Sequence, residues 1–193
     1  MKKILLLISI TIALIFLGNV YVGYKQQTIN KYGSLGGDFT LQGADGEISL
    51  RNLKGQVVVL YMGFTHCPDI CPTSLTTLAK ALENLPTDVS AITLPVFISV
   101  DYKRDKPDAV DQYIKYYVPG GVGLTGSKEE IDKVTKQYGA YYKFVETQGS
   151  AMEFTVDHTS RFYIIDADGI LQETVMDAQG FEFLAKEIVK VAR

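Results

Sequence analysis

The sequence predicts an α/β sandwich in which helices flank a mixed central sheet, with one apolar helix ahead of it. Two short runs, Val57–Tyr61 and Pro95–Val100, are almost wholly apolar and rich in β-branched residues. Such runs are typical of strands that are buried on both faces of a sheet. Between and after them lie segments in which apolar residues recur three and four positions apart, which predicts amphipathic helices. Strands that alternate with helices indicate an α/β protein.

The apolar N-terminus predicts a membrane anchor. Residues 4–22 carry no charge, and Lys2 and Lys3 precede them. About 20 apolar residues suffice to cross a bilayer, and the lysines favour an N-terminus in the cytoplasm and a chain on the extracytoplasmic side of the cell membrane. A cleaved signal peptide is the alternative. However, the apolar run is long for such a peptide, and Phe16 stands where cleavage needs a small residue. We therefore expect an uncleaved single-pass anchor over residues 1–25.

The remaining chain predicts a linker over residues 26–36, which are polar and contain glycine, and a folded domain over residues 37–193. The first half of the domain is expected to contain a hairpin of Asp38–Leu41 and Glu47–Leu50 around Gly43–Gly46, the strand Val57–Tyr61, a helix from Pro72 to Leu85 and the strand Pro95–Val100. The second half is expected to contain a helix from Pro107 to Tyr117, a helix from the capping box Ser127–Glu130 to Tyr138, the strand Tyr141–Val145, the loop Thr147–Glu153, a hairpin of Arg161–Ile165 and Ile170–Thr174, and the helix Ala178–Val191.

The two cysteines of the chain, Cys67 and Cys71, are the leading functional candidates, and the net charge is −3. That charge, without a basic stripe, argues against a nucleic-acid partner. Two cysteines are too few for a disulfide-stabilised scaffold in a chain of this length. They lie where a strand leads into a helix, and the N–H groups of a helix N-terminus stabilise thiolates. A structural disulfide or two buried thiols is the alternative, but the neighbouring Gly63 and His66 favour a functional pair.

The position of this dithiol indicates which α/β fold the domain adopts. A pair of cysteines that follows the first long central strand, at the start of a helix, is the thioredoxin arrangement. The hairpin ahead of that strand and the helix in the middle of the chain fit the larger, peroxiredoxin-like branch, which is an analogy at the level of the fold. The sequence therefore predicts a thioredoxin-like sandwich preceded by a transmembrane helix.

The spacing of the cysteines also indicates metal chemistry. Cysteines four residues apart at a helix start present both sulfur atoms on one face, which suits either a metal ion or dithiol exchange. The ring of His66 adjoins Cys67 and would have difficulty reaching an ion held by both sulfurs, so His158 is the better third ligand. Two thiolates and one imidazole suit Cu(I). An ordinary loop histidine is the alternative for His158, and the cysteine spacing alone does not separate metal binding from redox exchange.

The segment Gly63–Thr73, which reads GFTHCPDICPT, together with Val156–Thr159, resembles the Sco/SenC family of membrane-anchored copper proteins. The similarity extends over roughly Gly36 to Arg193, the whole domain. Tyr102 and Lys103 stand where family members commonly carry Pro-Glu. This departure concerns the shape of a loop or a partner contact and leaves the candidate ligands unchanged.

The resemblance implies a thioredoxin-like domain that binds copper through Cys67, Cys71 and His158, as Cu(I), with Cu(II) left open. It also implies a metallochaperone that helps to assemble the binuclear copper centre of cytochrome c oxidase. The copper-bearing subunit of that oxidase is then the expected partner, with other copper or thiol-redox proteins as further partners. In the family, the residue matching His66 is not usually a ligand. Asp101 and Asp157 are candidates to orient His158 or its loop.

A thiol–disulfide oxidoreductase is the alternative function. Cys67 and Cys71, as a redox-active dithiol, would then reduce the copper-ligand cysteines of the target through a mixed disulfide. A pure oxidoreductase has no need of His158, so this residue discriminates between the two functions. A peroxidase is disfavoured, because Thr65 stands two residues before Cys67, whereas peroxiredoxins carry a threonine three residues before the reactive cysteine.

Overall fold

The computed structural model describes residues 12–18, 32–147 and 153–193. The chain divides into two compact units, residues 1–34 and residues 35–193. In the first unit, residues 12–18 are helical and are named α1. The rest of the expected anchor, and the linker as far as residue 31, lie outside the described residues. Within the described ranges, no helix combines the length and the hydropathy that crossing a membrane requires.

The second unit contains strands, α-helices and two short 3-10 turns over its described residues. The strands are β1 (Thr40–Gly43), β2 (Gly46–Ser49), β3 (Val57–Gly63), β4 (Thr93–Ser99), β5 (Val122–Leu124), β6 (Tyr142–Glu146), β7 (Phe154–His158), β8 (Arg161–Ile165) and β9 (Leu171–Met176). The helices are α2 (Ile70–Glu83), α3 (Thr87–Ser90), α4 (Pro107–Tyr117), α5 (Lys128–Gln137) and α6 (Phe181–Ala192), and the 3-10 turns are Leu50–Leu53 and Asp177–Gln179.

The central sheet has five strands in the order β5-β4-β3-β8-β9. β3 runs parallel to β4 and antiparallel to β8, so the sheet is mixed, as predicted. Every residue of β3 is buried, in keeping with its central position and its lack of polar alternation. Helix α6 packs against β3, β8 and β9, and α4 packs against β4 and β5. The prediction of an α/β domain with helices against a mixed sheet is confirmed.

Several local predictions were incomplete. Helix α2 begins at Ile70 rather than at Pro72, so Cys71 lies inside its first turn. The closing helix begins at Phe181 rather than at Ala178, because Gly180 adopts a φ of 81° that interrupts the preceding 3-10 turn. Strand β5 was not predicted, because it is only three residues long and contains Gly123. A Cβ on Gly123 would lie 2.4 Å from the backbone nitrogen of Asp111, so the glycine permits close packing against α4.

The segment that carries His158 is a strand, β7, which was not among the predicted elements. β6 and β7 pair antiparallel as a separate two-stranded sheet, in a register that places Tyr142 opposite His158. In the sequence, residues 154–157 alternate between apolar and polar, but a run of four is too short to predict a strand with certainty. Pairing with β6 supplies the backbone hydrogen bonds, which the local sequence does not reveal. His158 is therefore held at the end of a hairpin that stands apart from the central sheet.

Candidate metal centre

The dithiol lies between the end of β3 and the first turn of α2. The N–H groups of a first helical turn need acceptors from outside the helix. Asp69, the N-cap residue, makes no side-chain capping bond. Instead, the sulfur of Cys67 accepts a hydrogen bond from the backbone N–H of Cys71 at 3.3 Å. Cys67 therefore acts as a cap for the helix that carries its partner cysteine.

The two thiols have opposite protonation tendencies. A hydrogen bond from the Cys71 side chain lowers the pKa of Cys67 to about 4, assisted by the backbone of Cys71 and Asp69, while burial opposes the shift. The same Cys67–Cys71 hydrogen bond, burial and the negative charge of Cys67 raise the pKa of Cys71. The pair thus holds one proton on Cys71 and a thiolate on Cys67. Cys67 is 8% exposed and Cys71 is fully buried, so the charged sulfur is also the accessible one.

His158 presents a ring nitrogen to the dithiol. Its Nε2 lies 3.3 Å from the sulfur of Cys71, and its Nδ1 lies 3.2 Å from the carbonyl oxygen of Thr159. A carbonyl oxygen can only accept, so Nδ1 carries the hydrogen and Nε2 directs its lone pair towards the sulfur. Metal-binding imidazoles are typically fixed in this way, with one nitrogen donating to a carbonyl and the other free to bind.

Two aromatic rings fix the plane of the imidazole. The ring of Tyr61 lies 6.2 Å from that of His158 at 89°, and the ring of Phe64 lies 5.8 Å from it at 86°. Both are edge-to-face contacts, the geometry that aromatic pairs prefer. The hydroxyl of Tyr61 also lies 3.2 Å from that of Ser160, two residues after His158. The imidazole is thus restrained by ring contacts as well as by its hydrogen bonds.

Together, Cys67, Cys71 and His158 present three ligand atoms that all lie within 4.8 Å of one another. Donors that share an ion through bonds of roughly 2.0–2.3 Å, as in zinc sites, stand at most about 4–4.5 Å apart, so small movements would bring these atoms onto one ion. Two sulfurs and one imidazole form a soft donor set, which suits Cu(I). Structural zinc sites take four protein ligands, one more than this group contains.

His66 belongs to a different group of side chains, with Asp101 and Asp105. Its Nδ1 lies 3.3 Å from Asp105 and 3.0 Å from the hydroxyl of Thr65, and the side chain is about half exposed. The carboxylates of this group already have protein partners, since Asp101 binds Arg104 and Asp105 accepts hydrogen bonds from Thr65. In this geometry, the ring of His66 belongs to a group that does not include the two sulfurs.

The structural roles of two residues that support the site were not predicted from the sequence. Asp105 lies in a charged stretch of the chain, but it is buried and accepts a hydrogen bond from the backbone N–H of Thr65, two residues before Cys67. The glycine at the end of β3, Gly63, provides room for Cys71, because an added Cβ would lie 2.7 Å from its sulfur. Glycine at a strand end is a recognisable sign of close approach, whereas nothing local distinguishes a buried aspartate in a charged loop.

The reactivity of the dithiol can be tested by alkylation of the reduced, copper-free protein. We expect iodoacetamide to modify Cys67 before Cys71, at a rate that changes little between about pH 6 and pH 8. An ordinary free thiol gains roughly tenfold in thiolate per pH unit over this range. With its pKa at about 4, Cys67 is already ionised there. Quenched time courses read by peptide mass spectrometry give both site and rate.

A rate that rises about tenfold per pH unit would contradict the assignment of the thiolate to Cys67. The matched variant is Cys67→Ser, in which only the fully buried Cys71 remains. It should react much more slowly than the native protein at each pH.

The folded part of the chain is similar to proteins of a known family. The family model described as SCO1/SenC matches residues 27–193. The chain is 40% identical over 158 residues to a SCO2-like protein of Rickettsia conorii, a match that covers 79% of this chain and 77% of that one. It is 41% identical over 136 residues to the mitochondrial SCO1 homolog 1 of Arabidopsis thaliana, covering 70% of this chain and 40% of that longer protein.

The fold has a close counterpart among solved structures. The crystal structure of Arabidopsis thaliana ScoI with copper bound superposes with a TM-score of 0.74 at 36% sequence identity, and covers 81% of this chain and 96% of that one. The family match spans the whole folded domain and includes the dithiol and the distant histidine. By its sequence and by its fold, the chain belongs to the SCO1/SenC family.

Proposed function

We propose that this protein is a copper metallochaperone that binds Cu(I) through the sulfurs of Cys67 and Cys71 and through Nε2 of His158. The observation that carries the proposal is that the two sulfurs of one strand-to-helix junction and an imidazole 87 residues after Cys71 lie within 4.8 Å of one another. The imidazole tautomer adds support, because the nitrogen nearest the dithiol carries no hydrogen. The solved Arabidopsis relative with copper bound supports copper as the metal.

The donor set also suits release of the ion. Three protein ligands leave a coordination position open, which a thiolate or imidazole of an acceptor could occupy. Cys67 is the more exposed sulfur, so we expect the acceptor to approach from its side. Transfer then proceeds by ligand exchange: a bond to the acceptor forms before each bond to the donor breaks, and copper remains Cu(I) throughout. Membership of the SCO1/SenC family supports the binuclear copper centre of cytochrome c oxidase, on its copper-bearing subunit, as the destination.

A thiol–disulfide oxidoreductase is the second candidate, and the low pKa of Cys67 favours it. The Cys67 thiolate would attack a disulfide of the target and release one target thiolate. Cys71 would then displace the second target thiolate and close a Cys67–Cys71 disulfide. Two electrons pass to the target in this exchange, and the proton of Cys71 is released. This chemistry needs no imidazole, so copper binding accounts for more of the geometry.

For the location of the protein, we propose a single-pass anchor over residues 1–25, a linker over residues 26–36 and a thioredoxin-like domain over residues 37–193. The lysines at the N-terminus and the uncharged residues 4–22 support an anchor with the domain on the extracytoplasmic side. Other copper or thiol-redox proteins of that compartment are then possible partners of the dithiol.

The decisive experiment is a Cu(I) titration of the full chain, reduced and solubilised in detergent, against a chromophoric Cu(I) chelator. We expect one ion per chain and an X-ray absorption spectrum that fits two sulfur ligands and one nitrogen ligand. Cys71→Ser should lose this binding. A native protein that leaves all copper with the chelator, or a spectrum without a nitrogen ligand, would refute the proposed site. The reduction potential of the dithiol, measured on the same samples, evaluates the second candidate.

A further inference from the structure

We infer that Arg104 is a positioning residue, which holds the β6–β7 hairpin so that His158 meets the sulfur pair. The inference rests on the proposed copper site and extends it to a residue that touches neither the ion nor its ligands. It begins from the isolation of the hairpin. β6 and β7 pair with each other and with no strand of the central sheet, over the residues that the structure describes. No strand pairing with the central sheet therefore fixes the hairpin, and His158 relies on side-chain contacts, of which the ring contact with Tyr61 is one.

Arg104 joins the hairpin to the end of β4. Its Nε donates to the buried carboxylate of Asp101 at 2.5 Å, and its Nη1 donates to the backbone carbonyl of Phe154 at 3.1 Å. The guanidinium carbon also lies 3.9 Å from the centre of the Phe154 ring, a cation–π contact. Phe154 is the first residue of the strand that ends in His158. A single planar cation thus fixes the strand through both its backbone and its side chain.

The residues beside Arg104 reinforce this contact. The ammonium of Lys103 lies 4.2 Å from the ring centre of Phe144 on β6 and 5.2 Å from that of Phe154 on β7. The ring of Tyr102 meets that of Phe144 edge-on at 5.2 Å. Tyr102 and Lys103 are the positions at which this chain departs from the usual Pro-Glu of the family. The departure therefore places an aromatic ring and a cation against both strands of the hairpin.

The same loop also fixes the other half of the site. Asp105, next to Arg104, accepts hydrogen bonds from the N–H and the hydroxyl of Thr65 at 2.8 and 2.6 Å. Thr65 precedes Cys67 by two residues. In the loop over residues 101–105, Asp105 therefore supports the segment that leads to the sulfur pair, and Arg104 supports the strand that carries the imidazole. This short segment therefore contacts both halves of the site.

The burial of Arg104 is consistent with a specific role. Its side chain is 22% exposed, and its Nη2 is buried without a hydrogen-bond partner among the described residues. A cation in such surroundings carries a desolvation cost, which the ion pair with Asp101 offsets. Removing the cation would also leave Asp101 buried without its partner. A test must therefore separate loss of positioning from a general loss of structure.

The test is a pair of substitutions on the full chain, followed by Cu(I) titration against a chelator. We expect Arg104→Gln to weaken Cu(I) binding by roughly 10- to 100-fold, the range seen when groups that orient metal ligands are removed. Its X-ray absorption spectrum should lose nitrogen scattering and keep both sulfurs. In the His158→Ala background, the same substitution should weaken binding no further, because no imidazole remains to be positioned.

The matched control is Arg51→Gln, which removes an exposed arginine that pairs with Asp38 at 2.7 Å. It should leave copper affinity unchanged. Equal losses from Arg104→Gln in the native and His158→Ala backgrounds would overturn the inference in favour of a general structural role, and so would the absence of any loss. If His158→Ala itself binds copper like the native protein, the proposed site fails instead.

Should Arg104→Gln fail to fold, Arg104→Lys keeps the charge beside Asp101 but not the planar two-nitrogen contact. Phe154→Leu removes the ring and keeps the carbonyl. Each is expected to give a smaller loss of affinity, of about 3- to 10-fold, that likewise disappears in the His158→Ala background. Losses that persist in that background would again overturn the inference.

Discussion

His158→Ala is expected to weaken Cu(I) binding by roughly 100-fold or more, since removing groups that only orient a ligand already costs 10- to 100-fold. The substitution deletes the nitrogen that lies 3.3 Å from the sulfur of Cys71, and no nearby group in the described residues replaces it in the cluster. The two sulfurs that remain should bind copper more weakly and exchange it faster. Competition with a chromophoric chelator gives the affinity, and X-ray absorption gives the ligand set.

The dithiol itself should survive this substitution. The largest contribution to the lowered pKa of Cys67 is the hydrogen bond with Cys71, which His158→Ala leaves in place. The pKa of Cys67 should therefore stay well below its ordinary value, and the pair should still form a disulfide on oxidation. A variant that keeps thiol exchange but loses copper separates the two candidate functions. Loss of both would indicate that His158 is needed for the structure of the loop.

The control for His158→Ala is the other histidine of the chain. His66 adjoins Cys67 in sequence, but its ring faces Asp105 and Thr65. His66→Ala should keep copper affinity within about threefold of the native value, less than the loss expected of an orienting group. Native affinity in His158→Ala, or an equal loss in both variants, would contradict the ligand assignment.

Of the substitutions proposed for this protein, Asp105→Ala is expected to destabilise it most, lowering the free energy of unfolding by about 3 kcal/mol or more. The buried carboxylate accepts bonds from the N–H and hydroxyl of Thr65 and from the hydroxyl of Ser99. Alanine removes the shared acceptor of these donors, and among the described residues only the Thr65 hydroxyl keeps another group that can accept its hydrogen bond, Nδ1 of His66. Because Thr65 leads into Cys67, copper affinity should also fall, by about tenfold or more. Urea unfolding and the chelator titration measure the two effects.

Asp157→Ala is the matched control for Asp105→Ala. Asp157 adjoins His158 and was a candidate to orient it, but its side chain is exposed, and the Nδ1 of His158 lies against the Thr159 carbonyl instead. Its loss should change stability by less than about 0.5 kcal/mol. The free energy of unfolding of Asp105→Asn should lie between those of the two alanine variants, since an amide offers one acceptor oxygen where the carboxylate offers two. Equal stabilities for Asp105→Ala and Asp157→Ala would show that the Asp105 network is dispensable.

Much of the fold follows from local sequence patterns. The run Val57–Tyr61 predicts a central strand because it lacks polar alternation, and Ser127–Glu130 predicts a helix start because a capping box needs only residues close in sequence. The structure contains both, with the capping box at the start of α5. Predictions were less successful where non-local contacts decide. β7 forms because β6 pairs with it, and the short strand β5 forms at the edge of the sheet beside α4.

In the candidate site, too, the residues recognisable from local sequence were predicted, and those that depend on tertiary contacts were not. Cys67 and Cys71 could be chosen from sequence because they are the two cysteines of the chain and stand at a strand-to-helix junction. The residues that support the sulfur pair could not be chosen from the sequence. Gly63 was recognised only as a neighbour of the pair, and its role in making room for Cys71 depends on packing that spacing does not encode. Asp105 resembled any other charge in a surface loop until its burial was known.

By itself, the sequence determined a buried strand that leads into a dithiol at a helix start, because periodicity, turn residues and cysteine spacing act over a few neighbouring residues. Only the tertiary structure decided which imidazole meets the sulfurs, which nitrogen it offers and which sulfur carries the charge. Those properties depend on distances between groups 87 residues apart in the chain. They also depend on the few hydrogen bonds that determine where the protons of the imidazole and of the thiols lie. Local propensity is insensitive to such contacts, since they exist only once the loop over residues 101–105 and the β6–β7 hairpin have come together.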